Sequence, residues 1–279
     1  MEKRPRSFYF LAAFFTLFLI FLYGPTFTIG ILSFQGAEGG LTFPMRGVSL
    51  DWFRELFQQQ AVGDIWGSFG RSFVLGVMVM IATIVISVMG GLAFRKRFPG
   101  SGAVFYLIIT SLVIPSILIS LGVGLIFSQA GLKVHWSTSG FGSQLTWTLP
   151  FGLLIMFAVF NRFDKSFEEA ARDQGANAWQ TIWNVVLPII APMLIGVALF
   201  GFTLSYDEFA RTLLTAGSYN TLPLEIYGMT TNVTTPVIFA LGTMTTVFSF
   251  IIIGAFLLTV VIANKRRARR GSDAGKGMV

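Results

Sequence analysis

Six long apolar runs, at residues 8–33, 68–94, 103–129, 144–160, 189–206 and 237–263, alternate with short polar segments along the chain. A helix that crosses a bilayer needs about 20 mostly apolar residues. The pattern therefore predicts an all-α integral membrane fold of six transmembrane helices. Pro115 falls within the third run and Pro150 within the fourth, where a proline kinks a spanning helix and frees backbone groups. Packing kinks are the commoner outcome and gating bends the rarer one.

The polar segments carry their own patterns. Residues 34–67 form the longest loop, Gly-rich at 36–40 and ending in SLDWFRELF. There Trp52, Phe53, Leu56 and Phe57 make an amphipathic turn suited to the membrane interface, and a plain linker helix fits equally well. Residues 164–188 are a charged insert, in which Trp179, Ile182, Trp183 and Val186 recur at helical spacing. That spacing suits an interfacial helix leading into the fifth span, with Pro188 marking a change of direction. No internal repeat or soluble domain is visible. Residues 1–264 read as one membrane domain and 265–279 as a flexible basic tail with too little apolar surface to order itself.

Composition agrees: 54% of residues are hydrophobic and 12% charged, against roughly 25% charged in soluble domains. The net charge of +7 could suggest nucleic acid, but the cations sit beside the spans. Lys3, Arg4 and Arg6 precede the first, Arg95, Lys96 and Arg97 join the second to the third, and Lys265, Arg266, Arg267, Arg269 and Arg270 follow the sixth. The positive-inside rule puts these segments, both termini and the Glu168 region in the cytoplasm. The opposite loops hold Arg46, Arg54, Lys133 and Arg211, offset by Glu38, Asp51, Glu55, Asp64, Asp207, Glu208 and Glu225. The tail charges serve orientation and could also touch anionic membrane lipid. The first apolar run is too long for a cleaved secretory signal and reads as a retained anchor. Without cysteine there is no disulfide framework or thiol chemistry.

Within the charged insert, EEAARDQGANAWQTIWNVVLP, a helix from Glu168 to Gly175 would pair Glu168 with Arg172 at i, i+4. It would align Ala171, Gly175 and Ala178 as a small-residue face that allows close approach of another chain. Glu168, Glu169 and Asp173 would form an acidic face able to meet a basic groove. Glu169-Ala170-Ala171, the spaced Gly175 and the closing Leu187-Pro188 resemble the EAA loop of importer permeases driven by ATP-binding-cassette subunits, although Val185 stands where that family usually has Ile. The resemblance covers nearly the whole chain. It implies a type I importer permease fold in a bacterial inner membrane, with Glu168 to Gly175 docking on an ATPase dimer. It also implies a second permease chain, in a heterodimer, and an extracytoplasmic substrate-binding protein.

No G-x-x-x-x-G-K-[ST] phosphate loop occurs in the sequence. The chain is therefore read as a transport subunit with no bound cofactor, and the resemblance implies that ATP and Mg belong to the partner ATPases.

The stretches GFTLSYDEFARTLLTAG and YNTLPLEIYGM resemble the polyamine branch of the same family, its spermidine and putrescine permeases. A polycation path calls for carboxylates and aromatic faces. Asp207 and Glu208 are the acidic candidates, about a quarter-turn apart on a helix, and Phe202, Tyr206, Trp147 and Tyr227 the aromatic ones. Asp207 and Arg211, at i, i+4, could instead neutralise each other. Arg211 could also suit a carboxylate or phosphonate, so permeases for amino-acid derivatives, opines, phosphonates or iron chelates stay open. Glu225 and Asn232 could line an entrance, with ordinary loop polarity the plainer reading. His135, the only histidine, has no ligand-spaced partners for a metal. An independent carrier would need no docking loop, and an integral membrane enzyme lacks a recognisable catalytic motif.

Overall fold

The structure, a computed structural model, describes residues 5–58, 63–96, 98–232 and 235–276, and among them no β-strand. Lys3, Arg4 and Arg97 lie outside the described residues. The helices are α1 (Arg6–Leu32), α2 (Asp51–Phe57), α3 (Ile65–Phe94), α4 (Ser101–Val113), α5 (Ser116–Gln129), α6 (Phe141–Asn161), α7 (Ser166–Asp173), α8 (Ala178–Thr181), α9 (Leu187–Tyr206), α10 (Leu222–Asn232) and α11 (Val237–Lys276). Among the described residues five continuous helical stretches are long and apolar enough to cross a membrane, and a sixth crossing is completed if α4 and α5 count as one.

That pair corrects the simple kink expected at Pro115. The chain bends by 110° between the two helices. Proline disfavours helical geometry in the residue before it, and Ile114 and Pro115 are both extended, at ψ 129° and 130°. Two successive extended residues turn a kink into a break. Pro150, by contrast, stays inside α6. Having no N–H, it cannot bond the Thr146 carbonyl one turn earlier, and that carbonyl instead accepts a hydrogen bond from Ser111 Oγ of α4 at 3.3 Å.

The fifth span also differs from expectation. Pro188 marks no corner: α8, a π-helical turn at Ile182–Val186 and α9 run on as one stretch, Ala178–Tyr206. In the π-turn the Leu187 N–H bonds the Ile182 carbonyl, five residues back, as in single-turn bulges inside α-helices.

Two compact units divide the chain, Met1–Ile65 with Ile226–Ser249 and Trp66–Glu225 with Phe250–Val279. No composition shift marks this division. In the larger unit α6 packs on α9, and Met156, Phe160, Val186, Ile190 and Val197 form a buried cluster covered by Ile84, Val88 and Leu92 of α3. Small residues allow the close approach, as in other membrane bundles. A Cβ on Gly152 would clash with Ser87 Oγ, and one on Gly91 would lie 2.7 Å from the Phe160 ring.

In the smaller unit, the fully buried Gln35 organises the loop after α1. Its Oε1 accepts the Arg46 N–H at 2.8 Å, and its carbonyl accepts Trp52 Nε1–H at 2.7 Å. Trp52 thus ties α2 to its own loop, and Leu56 is buried; of the apolar residues expected at an interface, Phe57 is the strongly exposed one.

The last helix runs to Lys276, so the basic stretch continues α11 where an unordered tail was expected. Its Lys, Arg and Ala residues are good helix formers, which composition alone does not weigh.

Candidate docking and permeation sites

The charged insert folds as a short helix with defined ends. Asp164 Oδ1 accepts the Ser166 N–H at 2.9 Å, and the backbone and side-chain hydrogen bonds from Ser166 hold the Asp164 carboxyl below its usual pKa. Glu168 and Glu169 in the first turn and Arg172 in the last complement the helix dipole. At the far end, Gly175 N–H bonds the Arg172 carbonyl at 2.8 Å and Ala176 N–H the Ala171 carbonyl at 3.0 Å, the paired bonds of a Schellman cap.

This cap revises the role expected of Gly175. The helix ends at Asp173, so Ala171, Gly175 and Ala178 do not share one helical face. Gly175 has φ +84° and open space where a Cβ would sit. Glycine is there because the backbone is left-handed. Asn177 then opens α8 with a capping box, exchanging 2.9 Å bonds with Gln180 through Asn177 Oδ1 and Gln180 Oε1.

The expected acidic face is split as well. Glu168 is not paired with Arg172; its carboxylate meets Arg95 Nη1 at the end of α3, with both side chains largely buried. The Arg95 guanidinium also lies over the rings of Phe160, at 5.4 Å, and Phe163, at 5.3 Å. Glu169, Ala170, Asp173 and Gly175 are exposed, Ala171 is half-buried, Leu187 is partly covered and Pro188 exposed. Glu168, Glu169 and Arg172 border a cleft of about 380 Å³ that reaches Leu92 of α3 and Arg95 just beyond its end. Sequence reasoning used Arg95 only as a topological charge; its partner is 73 residues away, and no local signal announces it.

At the other end of α6 and α9 the permeation candidates scatter. Tyr206 and Phe202 are buried and stacked, with centroids 5.7 Å apart, and Phe73 packs against Phe202. Both rings pack against neighbours in this chain. Helix α9 stops at Tyr206, which removes the i, i+4 relation assumed for Asp207 and Arg211. Asp207 is exposed, whereas Glu208 Oε1 accepts the Arg211 backbone N–H at 3.1 Å. Tyr227 is exposed on α10, and Glu225 bonds Asn220 Nδ2 at 2.8 Å; the Asn232 side chain lies outside the described residues.

Arg211 itself is fully buried. Nη1 donates to Thr146 Oγ1 at 3.0 Å, the guanidinium carbon lies 4.9 Å from the Trp147 ring centre, and the Arg211 carbonyl accepts from Ser143 Oγ at 3.0 Å. The segment following α9 is thereby stitched to α6. It also meets α5, where Ser120 Oγ accepts the Leu214 N–H at 3.0 Å. His135 caps the π-turn that precedes α6, its Nδ1 lying 2.8 Å from Ser137 Oγ.

Curated relatives match over most of the chain. The spermidine/putrescine transport system permease protein PotC of Haemophilus influenzae is 27% identical over 243 residues, covering 86% of this chain and 92% of that protein. PotC of Escherichia coli is 26% identical over 268 residues, with 95% and 96% covered. The putrescine transport system permease protein PotI of Escherichia coli is 25% identical over 232 residues, with 80% and 81% covered. Among solved structures, a chain of a bacterial ABC transporter involved in the import of the acidic polysaccharide alginate superposes with a TM-score of 0.65 at 19% identity, covering 95% of this chain and 99% of that one. A chain of the MetNI methionine ABC transporter gives a TM-score of 0.53 at 17% identity, with 71% and 94% covered; both are likenesses of fold. Residues 82–264 match the family described as binding-protein-dependent transport system inner membrane component, and the chain, an apolar multi-helix permease with a short charged helix between two of its spans, belongs to that family.

Proposed function

We propose that this chain is one permease subunit of an ATP-driven polyamine importer and shares the translocation path with a second, different permease chain. The observation that carries the reading is α7: a short charged helix, closed at its C-terminal end by the Gly175 cap, presenting Glu169, Ala170 and Asp173 outward while Glu168 anchors it next to α3. A helix pinned in this way moves with the bundle, so force applied to it reorients the spans as a unit. Ala171, Gly175, Leu187 and Pro188 set its backing, its end and its connection to α9. On this reading two ATPase subunits, which bind ATP and Mg, engage α7 from the cytoplasm, where both termini also lie, and an extracytoplasmic binding protein delivers the substrate.

The polyamine assignment draws on the relatives, which are spermidine/putrescine and putrescine permeases matching most of the chain, and on charge. Arg211 is withdrawn behind Trp147 and Thr146, while Asp207 is exposed. An accessible carboxylate with a sequestered arginine suits a cationic solute better than an anionic one.

The test is reconstitution of the chain with its co-purifying subunits in proteoliposomes. Spermidine or putrescine uptake that requires ATP and the binding protein is expected. ATP-driven uptake of a different solute class would replace the polyamine, and uptake driven by an ion gradient without ATP would replace the importer.

A further inference from the structure

The cleft behind α7 holds more positive charge than its neighbours neutralise. Arg95 and Glu168 cancel as an ion pair. That leaves Lys96, Lys165 and Arg172 around the same cleft with Glu169 as the remaining carboxylate. These three cations are exposed and make no ion pair among the described residues. The floor is apolar, formed by Leu92, Ile182 and Val186, residues of the helices that enter the membrane. On the same continuous stretch as Ile182, Trp179 and Trp183 are 67% and 53% exposed with ring centres 5.6 Å apart. Exposed tryptophans at the end of a spanning helix anchor at headgroup level.

We infer that this cleft binds the phosphate headgroup of an anionic phospholipid, with Lys96, Lys165 and Arg172 facing the phosphate and the acyl chains leaving over Leu92 and Ile182. Charge complementarity selects the occupant, because juxtamembrane lysine and arginine attract the anionic lipids of the inner leaflet. At about 380 Å³ the cleft is within the size range of small-ligand sites. It is bounded by the side of α7 that carries Glu168 and Arg172, so a bound headgroup would brace the helix proposed to receive the ATPase stroke. The inference rests on the proposed cytoplasmic placement of α7.

The test uses the intact complex, extracted in mild detergent from membranes containing phosphatidylglycerol and analysed by native mass spectrometry. The wild type should retain phosphatidylglycerol, and a Lys96→Gln/Lys165→Gln variant should retain on the order of tenfold less with its ATPase subunits still bound. Equal retention in both, or none in the wild type, overturns the site. A variant that loses its ATPase subunits while keeping the lipid overturns it in favour of a protein groove. Excess inorganic phosphate should leave the lipid in place; displacement would make the ligand a free anion and overturn the lipid assignment. Because the chain has no cysteine, Lys165→Cys offers a single thiol. Labelling by an impermeant maleimide from the outside would refute the proposed orientation independently of the retention result.

Discussion

Glu168 of α7 and Arg95 at the end of α3 form an ion pair across 73 residues of sequence, with side chains only 15% and 13% exposed. The pair joins the proposed docking helix to a spanning helix. Its low exposure, and the two aromatic rings beneath the guanidinium, set it apart from a solvent-screened surface bridge, which contributes little. Removing one partner strands the other charge in a poorly hydrated place.

Arg95→Met, which keeps much of the stem and removes the charge, should therefore destabilise the attachment of α7 by about 2 kcal/mol. Binding-protein-stimulated ATP hydrolysis by the reconstituted complex should fall, while insertion in the membrane persists. Glu168→Gln, which keeps hydrogen-bonding capacity, should be milder. Wild-type stimulation in the Arg95 variant would show that α7 transmits force through other contacts.

Gly175 terminates α7 with φ +84°, and a Cβ there meets nothing within 4 Å. The penalty for Gly175→Ala should come from the backbone alone, about 1 kcal/mol, and Gly175→Asn should cost less because asparagine tolerates left-handed geometry. Gly175→Trp adds bulk on an exposed surface and should also block ATPase association. Pull-down of the ATPase with each variant separates the effects: loss with Trp but not with Asn identifies docking, and retention with Trp removes Gly175 from the contact.

Asp207 and Trp147, both candidates for the substrate path from sequence, should behave differently. Asp207 is exposed, so Asp207→Asn should raise the KM for spermidine several-fold without changing assembly. Trp147 lies under the buried Arg211 guanidinium, so Trp147→Leu should lower thermal stability by about 2 kcal/mol. An unchanged KM in the first variant would reduce Asp207 to a surface charge.

Ser111 and Pro150 offer a double-mutant cycle. Ser111→Ala should cost about 1 kcal/mol, because it removes a hydroxyl shared between the Ile108 carbonyl at 2.7 Å and the Thr146 carbonyl that Pro150 cannot serve at 3.3 Å. In a Pro150→Ala background the helix regains an N–H for that carbonyl, and the cost of Ser111→Ala should shrink. Equal costs in both backgrounds would show that the Ser111 bond does not compensate for the proline.

The apolar runs alone determined that the chain is a membrane protein of long helices, because burying a span's backbone in hydrocarbon demands about 20 apolar residues in succession whatever they pack against. The charged insert was likewise legible, since its Glu-Ala-Ala, Gly and Leu-Pro spacing is local. Tertiary structure decided what depends on partners distant in sequence. It turned Glu168 inward to Arg95, buried Arg211 against α6 while leaving Asp207 exposed, and made Gly175 a cap. It also separated two prolines that look alike in sequence. Pro115 follows a residue that became extended and broke its span. Pro150 stayed in a helix, and the Thr146 carbonyl it released lies 3.3 Å from Ser111 Oγ of α4. Local pattern registers solvation and periodicity; it carries no record of which distant side chain will satisfy a buried charge or an orphaned carbonyl, and at these positions that partner decides the outcome.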